Sequence, residues 1–296
     1  MTYITSYTYS SETPGPHIVF LGGVHGNEPC GMSACRRVVE LFEKDAITPI
    51  KGTITLVPVC NPRAAEAKTR FSERNLNRQF FPKENPPTYE DELINELAPI
   101  LAEADIMVDL HSYSRGGAPF ALIGTGFRQE EIDLALASGT SYIIDGVDAA
   151  YGVANVKVDE RECHGTKEWA HLHGALGMTL ECGDHDSDET AEIAYRAVLN
   201  ILQSYGFASI PNTIHTPLAP PTPVLVTLRK TYYMEAPGKL VKEWAQYEAV
   251  TSGTLMATYD DGKELRIDEG GILIMPDIRH TMQPGEEWFY VGEIIT

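Results

Sequence analysis

Residues 17–23, His-Ile-Val-Phe-Leu-Gly-Gly, form an unbroken apolar run that ends at two glycines. A run without polar alternation suits a strand buried on both faces, the habit of parallel sheets covered by helices. Residues 28–45 then carry helical periodicity through Met32, Cys35, Val38, Val39 and Phe42. The same alternation recurs. Residues 52–61, 105–112, 119–124 and 177–183 read as strands, and 89–104, 128–139 and 188–206 as helices. Residues 3–9 are β-rich and read as an edge strand. The expected fold class is α/β, a mixed, largely parallel sheet with helices on both faces.

A polar, Arg- and Asn-rich stretch, 62–87, interrupts the pattern with little periodicity. Connections of that length tend to carry function. A proline-rich segment, "TPLAPPTP" (216–223), precedes short strands separated by Gly, Pro and Asp-Gly turns. The expected organisation is a catalytic α/β domain over 1–210, a Pro-rich linker over 211–223 and a small all-β domain over 224–296.

Charge bounds the partners. The 296 residues carry a formal net charge of −19. Phosphate backbones and anionic membranes call for clustered Lys and Arg, so neither nucleic acid nor membrane is an expected partner. A small-molecule substrate is expected, and an anionic one needs local cations; self-association is left open. The five cysteines are odd in number and form no C-x-x-C pair, which points to reduced thiols and a cytoplasmic setting. The first residues show no basic, apolar leader pattern, and no apolar run approaches the ~20 residues that span a bilayer.

In open α/β sheets, sites form beyond the carboxyl ends of the strands. Strand 17–23 delivers His25 and Glu28 there, strand 105–110 delivers His111, and strand 177–180 delivers Glu181. Two His and one carboxylate are a ligand set for one catalytic zinc ion per chain, so His25, Glu28 and His111 are the expected ligands. Gly22, Gly23 and Gly26 let the chain turn so that His25 and Glu28 face one point. Asp109 lies two residues before His111 on one strand face and can accept from its ring. Glu181 is the spare carboxylate. Zinc lowers the pKa of bound water to about 7, and a neighbouring carboxylate can shuttle its proton. Arg70, Arg74 and Arg78 in the polar stretch offer an oxyanion stabiliser and a carboxylate clamp, although Arg74 is expected to pair with Glu66 or Glu73. His164, His171, His173 and "DHD" (184–186) read as a solvated helix start and ordinary surface imidazoles, not a second metal site. The glycine run is not G-x-G-x-x-G, so a dinucleotide loop is discarded.

Four motifs, "GGVHGNE" (22–28), "RFSERNLNR" (70–78), "DLHS" (109–112) and "TLECG" (179–183), resemble the aspartoacylase/succinylglutamate desuccinylase branch of the zinc carboxypeptidase-like superfamily. The resemblance implies zinc at His25, Glu28 and His111, Glu181 as general base, and Arg70 as the residue that polarises the scissile carbonyl. It implies Asn77 and Arg78 as the grip on a substrate carboxylate. The implied reaction is hydrolysis of an N-acyl amino acid or a related small carboxylate-bearing amide. The alternative is a metallocarboxypeptidase, to whose motifs "HSYSR" (111–115) is similar; a non-catalytic metal binder is a third reading. The β-rich tail is similar to the small C-terminal domain of the deacylases, and to a carrier domain whose modifiable Lys is missing here. The deacylases carry a further substrate-binding Arg shortly before the catalytic Glu; residues 167–181 contain none. Tyr151 and Tyr259 stand as candidate substrate tyrosines.

Overall fold

The computed structural model describes residues 3–295 except 115, 116, 158, 159, 218, 278, 280 and 281. In chain order it begins with β1 (Tyr7–Ser10), β2 (His17–Gly22), α1 (Pro29–Glu43), β3 (Thr48–Pro49), β4 (Thr53–Val57), α2 (Pro62–Ala67) and α3 (Tyr89–Ala102). There follow β5 (Ile106–Tyr113), β6 (Phe120–Leu122), α4 (Gln129–Ser138), β7 (Tyr142–Asp145), α5 (Val147–Gly152), α6 (Thr166–Leu172), β8 (Leu176–Asp184) and α7 (Asp188–Ser204). The remainder is β9 (Ala208–Ser209), β10 (Val224–Tyr233), β11 (Gly238–Leu240), β12 (Ala249–Val250), β13 (Leu255–Tyr259), β14 (Glu264–Arg266), β15 (Gly271–Ile274) and β16 (Glu287–Ile295).

Eleven strands form one sheet in the order β1-β4-β2-β5-β8-β6-β7-β10-β16-β15-β12. Its middle, β4-β2-β5-β8, is parallel throughout, as is the run β6-β7-β10. The fold is the expected mixed, largely parallel α/β architecture with a β region at the C-terminus. Strand β2 shows why its sequence lacks alternation. Ile18 and Phe20 pack with α1 and α7, while Val19 and Leu21 pack with α3 on the other face. Side chains alternate between faces, but both faces are core.

Within 224–295, β10 lies parallel to β7 and carries β16, β15 and β12 outward, so these strands extend the main sheet. Beyond them β11, β13 and β14 form a separate three-stranded sheet, and Tyr232, Met256, Trp288 and Phe289 build a core of their own there.

The polar stretch hides one helix, α2. Its six residues are too few to show periodicity, but Asn61 caps it by accepting from the backbone N–H of Ala64, and Pro62 opens it. Between 140 and 175 the short elements β7, α5 and α6 were equally invisible to periodicity. Among the described residues no helix is long and apolar enough to cross a membrane.

Candidate functional site

The turn after β2 places the first two side chains. Gly23 adopts φ +61°, a left-handed conformation that glycine takes without a Cβ clash. Gly26 packs so closely on α2 that a Cβ would sit 2.0 Å from the carbonyl carbon of Ala64. Glu28 then stands at the N-cap of α1, with Pro29 in the first turn. His25, Glu28 and His111 are each only 2% exposed.

Their polar atoms converge. His25 Nδ1 lies 2.8 Å from Glu28 Oε1, and His111 Nδ1 lies 2.9 Å from Glu28 Oε2. One ligand atom from each residue lies within 4.8 Å of the others. The far side of each ring is backed by an oxygen: Asn75 Oδ1 sits 3.0 Å from His25 Nε2, and Asp109 Oδ2 sits 2.9 Å from His111 Nε2. Asn75 Oδ1 also accepts the backbone N–H of Asn77 at 2.9 Å. That oxygen is therefore an acceptor, so His25 Nε2 carries the proton and Nδ1 presents a lone pair. Burial pushes the His25 pKa down to about 4, with the Arg70 guanidinium adding to the effect against Glu28. At neutral pH a lone pair thus faces a carboxylate oxygen at 2.8 Å. Two lone pairs so placed repel unless a cation lies between them. The donor set fits a divalent metal ion, and the oxygens behind the rings are the supports that ligand imidazoles require. Burial opposes ionisation of Glu28, but the two imidazoles hold its carboxyl well below the usual range. Burial likewise disfavours the charged form of His111, yet Asp109 and Glu28 raise its pKa well above the ordinary value.

Glu181 faces the same cavity from β8, in register with His111 on β5. It is buried, and its Oε2 has no hydrogen-bond partner among the described residues. Burial is the main reason its pKa rises to about 8, with His111 opposing and Glu28 adding. Asp109 is fully buried and accepts from the Thr166 hydroxyl at 2.6 Å.

The Arg-rich stretch lands around this group. Arg70 donates to Glu28 Oε1 at 3.0 Å and lines the cavity. Arg78 also lines it, donating to Glu287 Oε1 at 2.7 Å and to the Tyr151 hydroxyl at 2.9 Å. Asn77 does not line the cavity. Its Oδ1 accepts the N–H of Thr166 at 2.9 Å at the start of α6, and its backbone carbonyl accepts from Arg78 at 2.8 Å. Arg74 is structural, but its partner is Asp91 at 2.5 Å, while Glu73 pairs with Arg63. Tyr151 meets Glu287, whereas Tyr259 belongs to the C-terminal core. Arg115 of "HSYSR" lies outside the described residues.

The cavity measures about 520 Å³. The C-terminal region supplies Tyr233, Met275, Asp277, Arg279, Glu287 and Tyr290 to its wall. Sequence reading passed over three further groups. Asn75 orients His25. Glu287 binds Arg78 from 209 residues away and accepts from Tyr290 at 2.6 Å. His185, within the "DHD" cluster, lines the cavity and meets Ser112 Oγ at 2.8 Å. Only the "NLNR" run hinted at the first; nothing local marked Glu287, and "DHD" read as a solvated helix start, whereas the structure turns His185 onto the cavity. Among the described residues no second group of three His, Cys, Asp or Glu donors comes this close; His171 instead pairs with Glu131 at 2.8 Å.

Sheet and site together define an α/β protein of carboxypeptidase-like architecture, with a metal-capable His–Glu–His centre at the ends of β2 and β5. The model of the succinylglutamate desuccinylase/aspartoacylase catalytic domain matches residues 14–204, and the chain belongs to that family of deacylases. A probable aspartoacylase of Nostoc sp. is 32% identical over 104 residues, 32% of this chain and 34% of that protein. A succinylglutamate desuccinylase of Vibrio vulnificus is 32% identical over 88 residues, 30% of this chain and 25% of that protein. The matched segments thus span about a third and a quarter of these curated relatives. The succinylglutamate desuccinylase/aspartoacylase crystal structure from Rhodobacter sphaeroides superposes with a TM-score of 0.73 at 20% identity, covering 99% of this chain and 89% of that one. The product-bound ectoine utilization protein EutE (DoeB) from Ruegeria pomeroyi gives 0.71 at 21% identity, covering 96% and 87%. At these identities the structural likeness speaks for the fold.

Proposed function

We propose that the chain is a zinc-dependent amidohydrolase that removes the acyl group from an N-acyl amino acid or a related small carboxylate-bearing amide. The observation that carries this is the convergence of His25, Glu28 and His111 on one point, with Glu181 in the same cavity and its Oε2 unpaired among the described residues. Zinc held by those three residues supplies Lewis acidity, lowering the pKa of water and polarising a carbonyl.

The chain's own groups do the rest. Glu181 takes a proton from the attacking water and returns it to the leaving nitrogen. Its buried Oε2 pairs with no described group, which leaves that oxygen available to take up the proton. Arg70 stands beside Glu28 and donates to the oxygen of the scissile carbonyl as charge develops there. Arg78 binds the substrate carboxylate, and Asn77 holds Arg78 in place through its backbone carbonyl. Asp109 and Asn75 keep the two ligand rings turned toward the centre. We place the activity in the cytoplasm and on a small molecule; the cavity volume supports the second point. The wall built by the C-terminal β region favours a small substrate over the polypeptide that a metallocarboxypeptidase would take.

The test is metal analysis of the purified chain beside a hydrolysis screen of N-acyl amino acids and C-terminal dipeptides. Zinc near one per chain with turnover of N-acyl amino acids is expected. Turnover of the dipeptides alone, or zinc without any amide hydrolysis, rejects the proposal.

A further inference from the structure

His185 has no part in the mechanism above, yet it is held as a working group would be. Its backbone N–H donates to the Tyr113 carbonyl at 3.2 Å, and its Nδ1 lies 2.8 Å from Ser112 Oγ. The residue is pinned twice to the end of β5. Ser112 is itself fixed, because its backbone N–H donates to Glu28 Oε2 at 3.1 Å. The ring meets the Ser112 hydroxyl through Nδ1, and in the tautomer where that hydroxyl donates, Nε2 carries the proton. The structure pairs Nε2 with no described residue, and His185 lines the cavity that Glu181 also lines. A rotationally locked imidazole thus offers one hydrogen bond to whatever occupies that space.

Different parts of the fold hold the cavity's polar groups. Arg78 is paired with Glu287 of β16 and with Tyr151 of α5. His185 is pinned to β5, which β8, β6, β7 and β10 separate from β16 in the strand order, and Ser112, Tyr113 and Ser114 line the cavity with it. On the deacylase reading, on which this inference rests, the carboxylate of the amine half goes to Arg78 and the amide lies between the metal-capable centre and Glu181. The acyl half then extends toward His185. We infer that His185 is a specificity-determining residue that hydrogen-bonds the acyl group through Nε2, so that the site favours acyl groups with an acceptor oxygen beyond the scissile carbonyl, such as hydroxyacyl groups, over plain alkanoyl groups. A bare alkyl chain would leave that buried-side donor unpaired, and polar sites discriminate strongly against analogues that cannot pair with them.

The experiment compares N-glycoloyl and N-acetyl derivatives of one amino acid in the zinc-loaded parent and in His185→Ala, His185→Asn and His185→Gln. Glutamine places its terminal amide near the position of Nε2, and asparagine near that of Nδ1. The parent should prefer the glycoloyl substrate. The preference in kcat/KM should fall about tenfold in the Ala and Asn variants, mainly through KM, and be partly kept by Gln; tenfold corresponds to roughly 1.4 kcal/mol, the size of one hydrogen bond. Rescue by Asn but not Gln would mean that His185 only anchors the turn to Ser112, and overturns the inference. An unchanged preference, or equal losses on both substrates, overturns it too. Metal content and melting temperature are measured on every variant. If His185→Ala does not fold, Ser112→Ala, which frees the ring, should lower the same preference by a smaller factor. If the parent hydrolyses neither substrate, the wider screen of N-acyl amino acids judges the deacylase reading by itself. Calorimetric binding of the two compounds to the parent and the Gln and Asn variants then decides the subsite by the same ordering.

Discussion

His111 on β5 and Glu181 on β8 are register partners in the parallel ladder. Neighbouring strands lie about 4.8 Å apart, so an imidazole of the metal-capable centre and the Glu181 carboxylate stand side by side on rigid backbone. The position of Glu181 is thus set by sheet hydrogen bonds, which loops seldom match for precision. Replacing it by Gln keeps shape and neutralises charge. Turnover should fall by about 10²–10⁴-fold, the range for a lost acid–base group. Zinc content should stay at the parent level, because the three ligands are untouched. Side-by-side kcat and metal measurements check this; a Glu181→Gln enzyme retaining most of its activity would remove Glu181 from the mechanism.

The same carboxylate has a cost in the metal-free protein. Its pKa is raised from 4.5 to about 8, chiefly by burial. A carboxyl raised on folding favours the folded state fully below its unfolded pKa, and that support is lost as pH climbs through about 8. The metal-free parent should therefore weaken between pH 5 and 9 by up to a few kcal/mol relative to Glu181→Gln. Melting curves of both proteins in chelator across that range test it; parallel pH profiles would show that Glu181 is already ionised at pH 5.

Asp109 and Asn75 each set an oxygen behind one imidazole of the metal-capable centre. Asp109→Asn and Asn75→Ala should each weaken zinc about 10–100-fold without removing a ligand. Competition against a chromophoric chelator measures this directly. Affinities equal to the parent's would mean that the rings are oriented by packing alone.

How much of this was open to sequence reading depends on distance along the chain. The β2 run was legible because both of its faces meet core, and the ends of β2, β5 and β8 were legible because acids and imidazoles there have little structural purpose. What stayed hidden is pairing between remote segments. Arg74 looked toward Glu66 or Glu73, yet α3 brings Asp91 to it. Arg78 read with Asn77 as a grip on the substrate carboxylate, and β16 lays Glu287 against it. Asn77 read as a substrate contact, while its side chain accepts from Thr166 at the start of α6. His185 looked solvated because "DHDSDE" has the composition of a helix cap. Ser187 does cap α7, but the turn before it folds back onto β5.

The tight corner itself can be tested. An added Cβ at Gly26 would overlap the backbone of α2, where nothing flexible can give way. Gly26→Ala should lower stability by roughly 3 kcal/mol or more and displace His25, with loss of zinc. Thermal denaturation and metal analysis read both effects. A variant with parental melting temperature and zinc content would show that the turn and α2 part easily.

Glu287 joins the C-terminal region to the substrate stretch, and acid should expose that link. Burial alone would raise its pKa, but Arg78 first, and then the hydroxyls of Tyr151 and Tyr290, lower it from 4.5 to about 2. A carboxyl depressed on folding stabilises the folded state fully above its unfolded pKa, and that support drains as pH falls from about 4.5 toward 2. Glu287→Gln should therefore lower stability at pH 7 by up to about 3 kcal/mol, and the gap should close on acidification through that window. Arg78 would at the same time lose its charged partner and turn toward the cavity. KM for a carboxylate substrate should then shift severalfold, while His25, Glu28 and His111 keep their zinc. Denaturant melts at pH 7, 4 and 3 follow the first effect and steady-state kinetics the second. A pH-independent difference between parent and variant would mean that Glu287 is not held ionised by Arg78 in solution.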